Sequence, residues 1–533
     1  MRHTRRSFLK ICGLSVTTAA FSKIPAAAAS AGKPNLLFIM TDQQRYDALS
    51  IAGNTVLDTP NLDRLARQGA YFKNAYTPCA VCCPARSSIL TGCTVENNGM
   101  RRNDYAYYDK NQDLMTMPTF DEILTQNGYH CEYYGKWHTK SSHAACYKNP
   151  SRTTESGKDI FDHGGQKFAW HDSRLNKHCP KRKPQKGQLI ENMSERPYKT
   201  DPIDRHHGMP YEKVKDLRFP QSDQHGKLLI GKEHTLTAFQ AGQTIEAIQR
   251  LKDRPFSITC SFHFPHSPMT PAEPYYSMYP AEKMTPPPSI DDDMSNSPYK
   301  HANGRKHLPE YRDKEKIKYM ISNYYGLVKE IDDWTGRILN TLDKNGLTEN
   351  TMVIFVSDHG DMLGAHGMRE KNVFYEESAH IPLMIRFPNR IKSKTKVNGY
   401  VSLIDLFPTI LDYLQIKQHK SDGKTLRGLI EGTDTEHGEY VVTEWDYRGD
   451  ISPNYMIVKD GWKMMIPYST TSNVINALYD LKTDPHEMNN LIGKNPQRKK
   501  YRQKTEELRE CLLEWLKKNN SKHYEGVKKR KLV

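Results

Sequence analysis

Short runs of mainly apolar residues, at 34–40, 128–134, 256–262, 352–356 and 383–387, set the frame of this chain. Leu36-Leu37-Phe38-Ile39-Met40 and Met352-Val353-Ile354-Phe355-Val356 show no polar alternation. Unbroken apolarity over so few residues suits a strand buried on both faces, which belongs to a parallel sheet with helices on either side. Two intervals carry the complementary 3.6-residue period. Between 315 and 345, Ile317, Met320, Ile321, Tyr324, Leu327, Val328, Ile331, Trp334, Ile338 and Leu342 recur at helical spacing, and Gly346 stops the pattern. Thr237 to Leu251 is a shorter helix of the same kind, with Phe239, Ile245, Ile248 and Leu251 as its expected buried positions. The expectation is an α/β fold with a large, mostly parallel sheet flanked by helices. From about residue 430 the pattern changes to short strands at 440–444, 455–458, 462–465 and 477–481, followed by a helix at 502–518. The expected division is 1–31, 32–429 and 430–533. Two stretches lack periodicity, a basic one near 140–232 and a Pro- and Tyr-rich one near 267–312, lengths that mark functional or disordered loops.

Polar residues follow the apolar runs. Asp42-Gln43 follows the first, Gly135-Lys136-Trp137-His138 the second, Phe264-Pro265-His266-Ser267-Pro268 the third and Ser357-Asp358-His359-Gly360-Asp361 the fourth. Lys371 stands between the Gly364-Ala365-His366-Gly367 loop and Phe374-Tyr375-Glu376-Glu377. Singly, Asp42 reads as a helix N-cap and each Lys or His as a surface residue. Their recurrence at strand ends changes that, because α/β sheets bind ligands outside the carboxyl ends of their strands. Asp42, Gln43, Asp358 and His359 form a mostly oxygen donor set, which suits a hard divalent cation, with His359 keeping a transition metal open. Lys136 and His138 are two apart and share one side of an extended segment.

The remaining chemistry lies in Cys82-Cys83-Pro84-Ala85-Arg86-Ser87-Ser88-Ile89-Leu90-Thr91-Gly92. Pro84 would hold its predecessor extended and let a helix start at Ala85, aiming position 82 at a helix N-terminus that favours an anion. Cys79, Cys82, Cys83 and Cys93 also allow a zinc cluster, or a redox pair at Cys79-x-x-Cys82. A zinc site usually needs a second spaced pair, and Cys93 offers one ligand.

At 533 residues the chain is long enough for a large core, and its formal net charge is +15. Arg2, Arg5, Arg6, Lys10 and Lys23 lie in an acid-free stretch ending at Ala29, which leaves +10 for the rest. A cationic body suits an anionic substrate or surface; no nucleic-acid partner is expected. Thr4-Arg5-Arg6-Ser7-Phe8-Leu9-Lys10, a weakly apolar run and an alanine tract resemble a twin-arginine export signal cleaved near Ala29 or Ala31, with an ordinary secretory signal as the competitor. The expected location is periplasmic or extracellular, reached through the twin-arginine machinery without a transmembrane anchor. Cys131 with Cys146, or Cys146 with Cys179, would be able to pair after export. His206-His207 reads as solvated or substrate-facing rather than metal-binding, and Lys528-Lys529-Arg530-Lys531 as a solvated basic end.

Cys82, Pro84, Arg86, Leu90, Thr91 and Gly92, with Gly-Lys-Trp-His, Pro-His-x-Pro, Ser-Asp-His-Gly-Asp and a lysine before Tyr-Glu-Glu, resemble the type I sulfatases of the alkaline phosphatase superfamily. The resemblance covers nearly the whole chain after residue 31. It implies a sulfuric ester hydrolase in which Cys82 is oxidised to formylglycine (3-oxoalanine) by a formylglycine-generating or anaerobic sulfatase-maturating enzyme. It also implies a C-terminal antiparallel sheet with a long helix, and insertions that line the substrate pocket. Calcium, or manganese or another divalent ion, would bind Asp42, Gln43, Asp358, His359 and an oxygen of modified Cys82. The family commonly has aspartate where this chain has Gln43. Arg86 and Lys136 would steady the hydrate and the sulfate, and Lys371 would bind a sulfate oxygen. His138 would act as base in the expulsion step, and His266 would protonate the leaving oxygen. The expected substrate is a sulfated carbohydrate. Alternatives are a phosphodiesterase or phosphonate monoester hydrolase of the same superfamily and, in another class, a non-catalytic cationic glycan-binding protein.

Overall fold

A computed structural model describes residues 32–103, 113–148, 211–214, 225–300, 309–434, 437–445 and 452–533. The export signal, Cys179, His206-His207 and most of the 140–232 stretch lie outside these residues. The strands are β1 (Asn35–Asp42), β2 (Ala70–Tyr76), β3 (His130–Gly135), β4 (Tyr211–Lys213), β5 (Gly226–Leu228), β6 (Phe256–Pro265), β7 (Thr351–Ser357), β8 (Leu383–Arg386) and β9 (Thr395–Ser402). They are followed by β10 (Tyr440–Glu444), β11 (Tyr455–Lys459), β12 (Trp462–Ile466) and β13 (Ala477–Asp480).

The large sheet has seven strands in the order β3-β6-β1-β7-β8-β2-β9. β3, β6, β1 and β7 run parallel, β2 and β9 pair in parallel, and β8 is antiparallel to both its neighbours. The unbroken apolar runs now have a physical reason. Leu36, Phe38 and Met40 enter one core with Phe120, Ile123 and Phe407, while Leu37 and Ile39 enter the other with Ile248, Ile317, Tyr324 and Ile331. Each such side chain contributes about 1.5–3 kcal/mol on full burial, so a polar residue on either face would be costly.

The helix Lys314–Lys344 covers one face, capped by Asp313, whose side chain accepts from the Glu315 and Lys316 amides. The helix Leu236–Leu251 packs beside it, but its buried stripe differs from the expected one. Leu236, Ala238, Ala241, Ala247, Ile248 and Leu251 are buried, whereas Phe239 and Ile245 are only partly buried. Three alanines take part in that stripe, which apolar size alone does not reveal.

The 267–300 stretch is built into the core: Tyr275, Tyr279, Met284, Ile290, Met294 and Tyr299 are buried. β10-β11-β12-β13 form the C-terminal antiparallel sheet. Ile457, Met464 and Ile466 meet Leu508, Leu512 and Leu516 of the helix Arg502–Lys518 on one face. Met456, Val458, Met465 and Tyr479 meet Tyr76, Phe374, Tyr375 and Ala379 on the other. Pro34–Val533 is one compact unit by its internal contacts.

Of the basic end, Lys528, Lys529 and Lys531 are exposed, as expected, but Arg530 is not. Arg530 is 8% exposed and donates to the carbonyls of Ser469, Ser472 and Val474 and to Asn476 Oδ1, while Leu532 is buried beside them. Unpaired backbone carbonyls in that loop attract the guanidinium inward. Cys131 and Cys146 are thiols in this structure.

Candidate active site

A ten-residue helix, Cys82–Thr91, carries the cysteine motif, and all of its residues are buried. It begins at Cys82, not at Ala85 as Pro84 suggested, after an extended Val81 with φ −148°. Pro84 falls within the first turn, where its missing N–H would have no intrahelical partner, so the ring is tolerated there. The Cys83 amide, also in that turn, donates to Asn103 Oδ1 at 3.0 Å. The helix stops at Gly92, φ 67°, where an added Cβ would lie 2.8 Å from Phe407.

Arg86 is fully buried and joins four strand ends. Its Nε donates to Asp358 Oδ2 at 2.8 Å and a terminal nitrogen to Asp42 Oδ2 at 3.2 Å. Its other terminal nitrogen donates to the Lys136 carbonyl at 2.7 Å and Ser261 Oγ at 2.8 Å. A buried guanidinium is tolerable only with its donors used, and the forked geometry uses them. Gly135 permits the convergence: at φ 104° an added Cβ would sit 1.9 Å from the Ser261 carbonyl oxygen, which accepts the Lys136 amide at 3.0 Å.

Asp42 ends β1 and Asp358 follows β7, side by side because Thr41 pairs with Ser357. Burial raises the Asp42 carboxyl, but Lys136, His266, Arg86 and His359 together hold it well below the usual carboxylate range. Lys136 Nζ donates to the same Oδ2 that Arg86 engages. Both carboxylates thus give Oδ2 to cations, and each Oδ1 faces His359 Nε2, Asp358 at 3.6 Å and Asp42 at 3.9 Å. Cys82 Sγ lies 3.1 Å from His359 Nε2 and 4.0 Å from Asp42 Oδ1. His359 Nδ1 is 3.0 Å from the Gly360 carbonyl, an arrangement that leaves Nε2 for a ligand when the ring is neutral; burial opposes its charge, but Asp358 and Cys82 outweigh burial and raise its pKa.

Asp42, Cys82, Asp358 and His359 each place a donor atom within 4.8 Å of the others, all four residues being buried. Two carboxylate oxygens, one imidazole nitrogen and position 82 form a set that fits a divalent cation. Gln43 stands beside it with φ 74°. Its Oε1 accepts from Lys371 Nζ at 2.5 Å and its Nε2 donates to Asp361 Oδ2, so its amide already bridges a lysine and a third carboxylate.

His138 is 2% exposed, and burial, with the nearby Lys136 and Arg86 charges, pushes its imidazole well below the ordinary range. It is therefore neutral, the state a general base needs. His266 is 9% exposed and its Nδ1 lies 2.7 Å from the Ser267 carbonyl. Burial and the Asp42 carboxylate push the Cys82 thiol up, but Lys136, Lys371 and His359 outweigh them and lower it. By contrast, burial raises the Cys79 thiol and takes Cys93 to about 11. Cys79 packs with Val81 and Val95, and Cys83 lies in the main core. Among the described residues no zinc-type cysteine cluster exists.

Asp42, Gln43, Cys82, Arg86, Lys136, Asp358, His359 and Lys371 are joined by these contacts, and His138 and His266 lie within electrostatic reach of Asp42. Sequence reasoning misses Ser261, Asn103, Tyr324, whose hydroxyl donates to the Gln43 carbonyl at 2.8 Å, and Asp361, which burial raises to about 6. Asp361 is legible as the last residue of Ser-Asp-His-Gly-Asp; Asn103 has no local signal.

The sulfatase family model matches residues 34–416, and the model described as N-sulphoglucosamine sulphohydrolase, C-terminal, matches 364–518. The chain is 29% identical to an arylsulfatase of Clostridium perfringens, over 93% of this chain and 97% of that protein. It is 28% identical to an N-acetylglucosamine-6-O-sulfatase of Bacteroides thetaiotaomicron, over 90% and 86% of the two chains. Its fold is similar to that of the phosphonate monoester hydrolase of Agrobacterium radiobacter, with a TM-score of 0.70 and 23% identity, covering 91% of this chain and 96% of that one. With the family model spanning the sheet, the cysteine helix and the acidic strand ends alike, the chain belongs to the type I sulfatases of the alkaline phosphatase superfamily.

Proposed function

We propose that this sulfatase releases inorganic sulfate from a sulfated carbohydrate through a formylglycine hydrate made from Cys82. The observation that carries the reading is the Arg86 fork, which brings Asp42, Asp358, Lys136 and the Cys82 helix to one point. The N-acetylglucosamine-6-O-sulfatase relative supports the substrate class, as does the net charge of +15.

Hydrolysis of a sulfate ester needs a nucleophile, charge compensation at the sulfuryl oxygens and a proton for the leaving alcohol. Formylglycine, as its hydrate, would supply one hydroxyl to attack sulfur while the ester S–O bond breaks, and a second whose deprotonation re-forms the aldehyde as the C–O bond to sulfate breaks. A calcium ion, held by Asp42, Asp358, His359 and position 82 with Gln43 adjacent, would supply charge compensation. Lys136 and Arg86 fix the carboxylates and add positive charge; Lys371 holds a sulfate oxygen. Neutral His138 accepts the proton in the expulsion step, and His266 gives one to the leaving oxygen. The proposed route to the substrate is export by the twin-arginine machinery after maturation in the cytoplasm.

The test is mass spectrometry for the aldehyde at position 82, then turnover against a panel of defined sulfated sugars. Cys82→Ala is expected to abolish turnover, and a chelator to remove it until calcium is restored. Full turnover by Cys82→Ala would overturn the mechanism. Gln43, which gives the site less negative charge than aspartate, keeps a phosphonate or phosphodiester reading in play. Faster turnover of a phosphate diester than of the sulfate ester of the same alcohol would favour it.

A further inference from the structure

The segment carrying Lys371 is held from behind by the C-terminal sheet. Lys463 is the second residue of β12 and is fully buried. Neighbouring Met464 faces the helix Arg502–Lys518, so Lys463, like Met465, points the other way, toward the large sheet. Its ammonium reaches the Phe374 carbonyl at 2.8 Å, Glu376 Oε1 at 2.7 Å and Glu487 Oε1 at 2.9 Å. The carbonyl accepts a hydrogen bond from the ammonium, and the two carboxylates pair with its charge. Glu487 closes the clasp from its other oxygen, which accepts the Glu376 amide at 2.7 Å. The Glu376 carboxylate in turn accepts from Tyr76 Oη at 3.0 Å and pairs with His380 Nδ1 at 2.8 Å.

The clasped segment runs straight into the site. The Asn372 amide donates to the Ala80 carbonyl at 3.0 Å, two residues before Cys82. The Gly360 amide, next to His359, donates to the Ser378 carbonyl at 2.9 Å. Lys371 itself reaches Gln43. For stability alone, well-packed apolar residues at 463, 376 and 487 together would serve as well as a buried ion cluster, whose desolvation offsets much of its attraction. An ammonium that hydrogen-bonds a backbone carbonyl and pairs with two carboxylates does what an apolar residue does not: it fixes where that carbonyl and the neighbouring carboxylate stand.

We propose that Lys463 and Glu487 are positioning residues that set the placement of Lys371, so that the C-terminal sheet is part of the catalytic scaffold. This rests on the reading of Lys371 as a sulfate-binding group. The test is a double-mutant cycle on the matured enzyme with a sulfate ester that the wild type turns over, alongside hydrogen exchange of residues 371–379. Lys463→Met is expected to lower kcat/KM by about 10- to 100-fold while unfolding cooperatively, and to speed exchange across 371–379. In a Lys371→Met background the same substitution is expected to cost less than about twofold, because the group it positions is gone. Multiplying losses, or a folded Lys463→Met enzyme with wild-type kcat/KM and unchanged exchange, would overturn the proposal. Should Lys463→Met fail to fold, Glu487→Gln, which keeps one of the two acceptor oxygens and sets an amide donor in place of the other, goes through the same cycle with the same criteria. Undiminished turnover by Lys371→Met alone would sink the role given to Lys371, and the exchange of 371–379 would still decide whether the clasp orders that segment.

Discussion

Lys371 Nζ lies 2.5 Å from Gln43 Oε1, while the other end of the same amide donates to Asp361. A neutral side chain thus separates an ammonium from a buried carboxylate, giving each the partner it needs. Glutamate at 43 would keep the acceptor for Lys371 but set a second carboxylate against Asp361. Gln43→Glu is expected to destabilise the protein by about 1–3 kcal/mol and to cut kcat/KM by about tenfold or more, read from urea unfolding and sulfate-ester turnover.

Arg86 couples Asp42 to Asp358 through one planar group. Removing it leaves two buried carboxylates without their counter-charge, so Arg86→Met is expected to cost about 3–5 kcal/mol. Arg86→Lys retains the charge without the fork and should lose less stability, yet still lose most turnover. Equal unfolding midpoints for both variants and wild type would contradict this account.

Asp121 offers a stability prediction away from the site. Burial raises its carboxyl from 3.8 to about 6, against the lowering effect of Ser257 and Tyr147, which donate to it at 2.6 and 2.7 Å. The folded protein therefore holds this proton more tightly than the unfolded chain does. The associated stabilisation is full below the unfolded value and lost as pH rises through about 6, an effect of about 3 kcal/mol. The unfolding free energy of wild type minus that of Asp121→Asn should fall by about 2 kcal/mol between pH 4 and 7. A constant difference would refute the assignment.

Arg530 holds the last turn of the chain to the loop 469–476. Arg530→Met should cost about 1–3 kcal/mol by leaving buried carbonyls without a donor, and should leave sulfate-ester turnover within about twofold of wild type. A large fall in turnover with stability unchanged would point instead to a role in the reaction.

Much of the site is legible in the sequence. Asp42, Lys136, His266 and Asp358 each follow an apolar run, and a run too short and too apolar for a surface helix announces a central strand whose end is a binding edge. The helix Cys82–Thr91 starts earlier than Pro84 implies because a proline restricts its predecessor only statistically, and the first helical turn tolerates it. The buried stripe of the helix Leu236–Leu251 departs from the apolar periodicity because the small side chains of Ala238, Ala241 and Ala247 are buried in it and Phe239 and Ile245 are only partly so.

By itself the sequence determined the strand and helix pattern, the family and the residue types at the strand ends, since periodicity and motif spacing are local properties of a chain. Only the tertiary structure decided who touches whom. That Arg86 binds Asp358, that the Gln43 amide spans Lys371 and Asp361, and that Lys463 clasps Phe374 and Glu376 are contacts between residues far apart in the chain. Such pairs depend on the order of strands in the sheet and on the directional geometry of hydrogen bonds, and no spacing along the chain encodes either one.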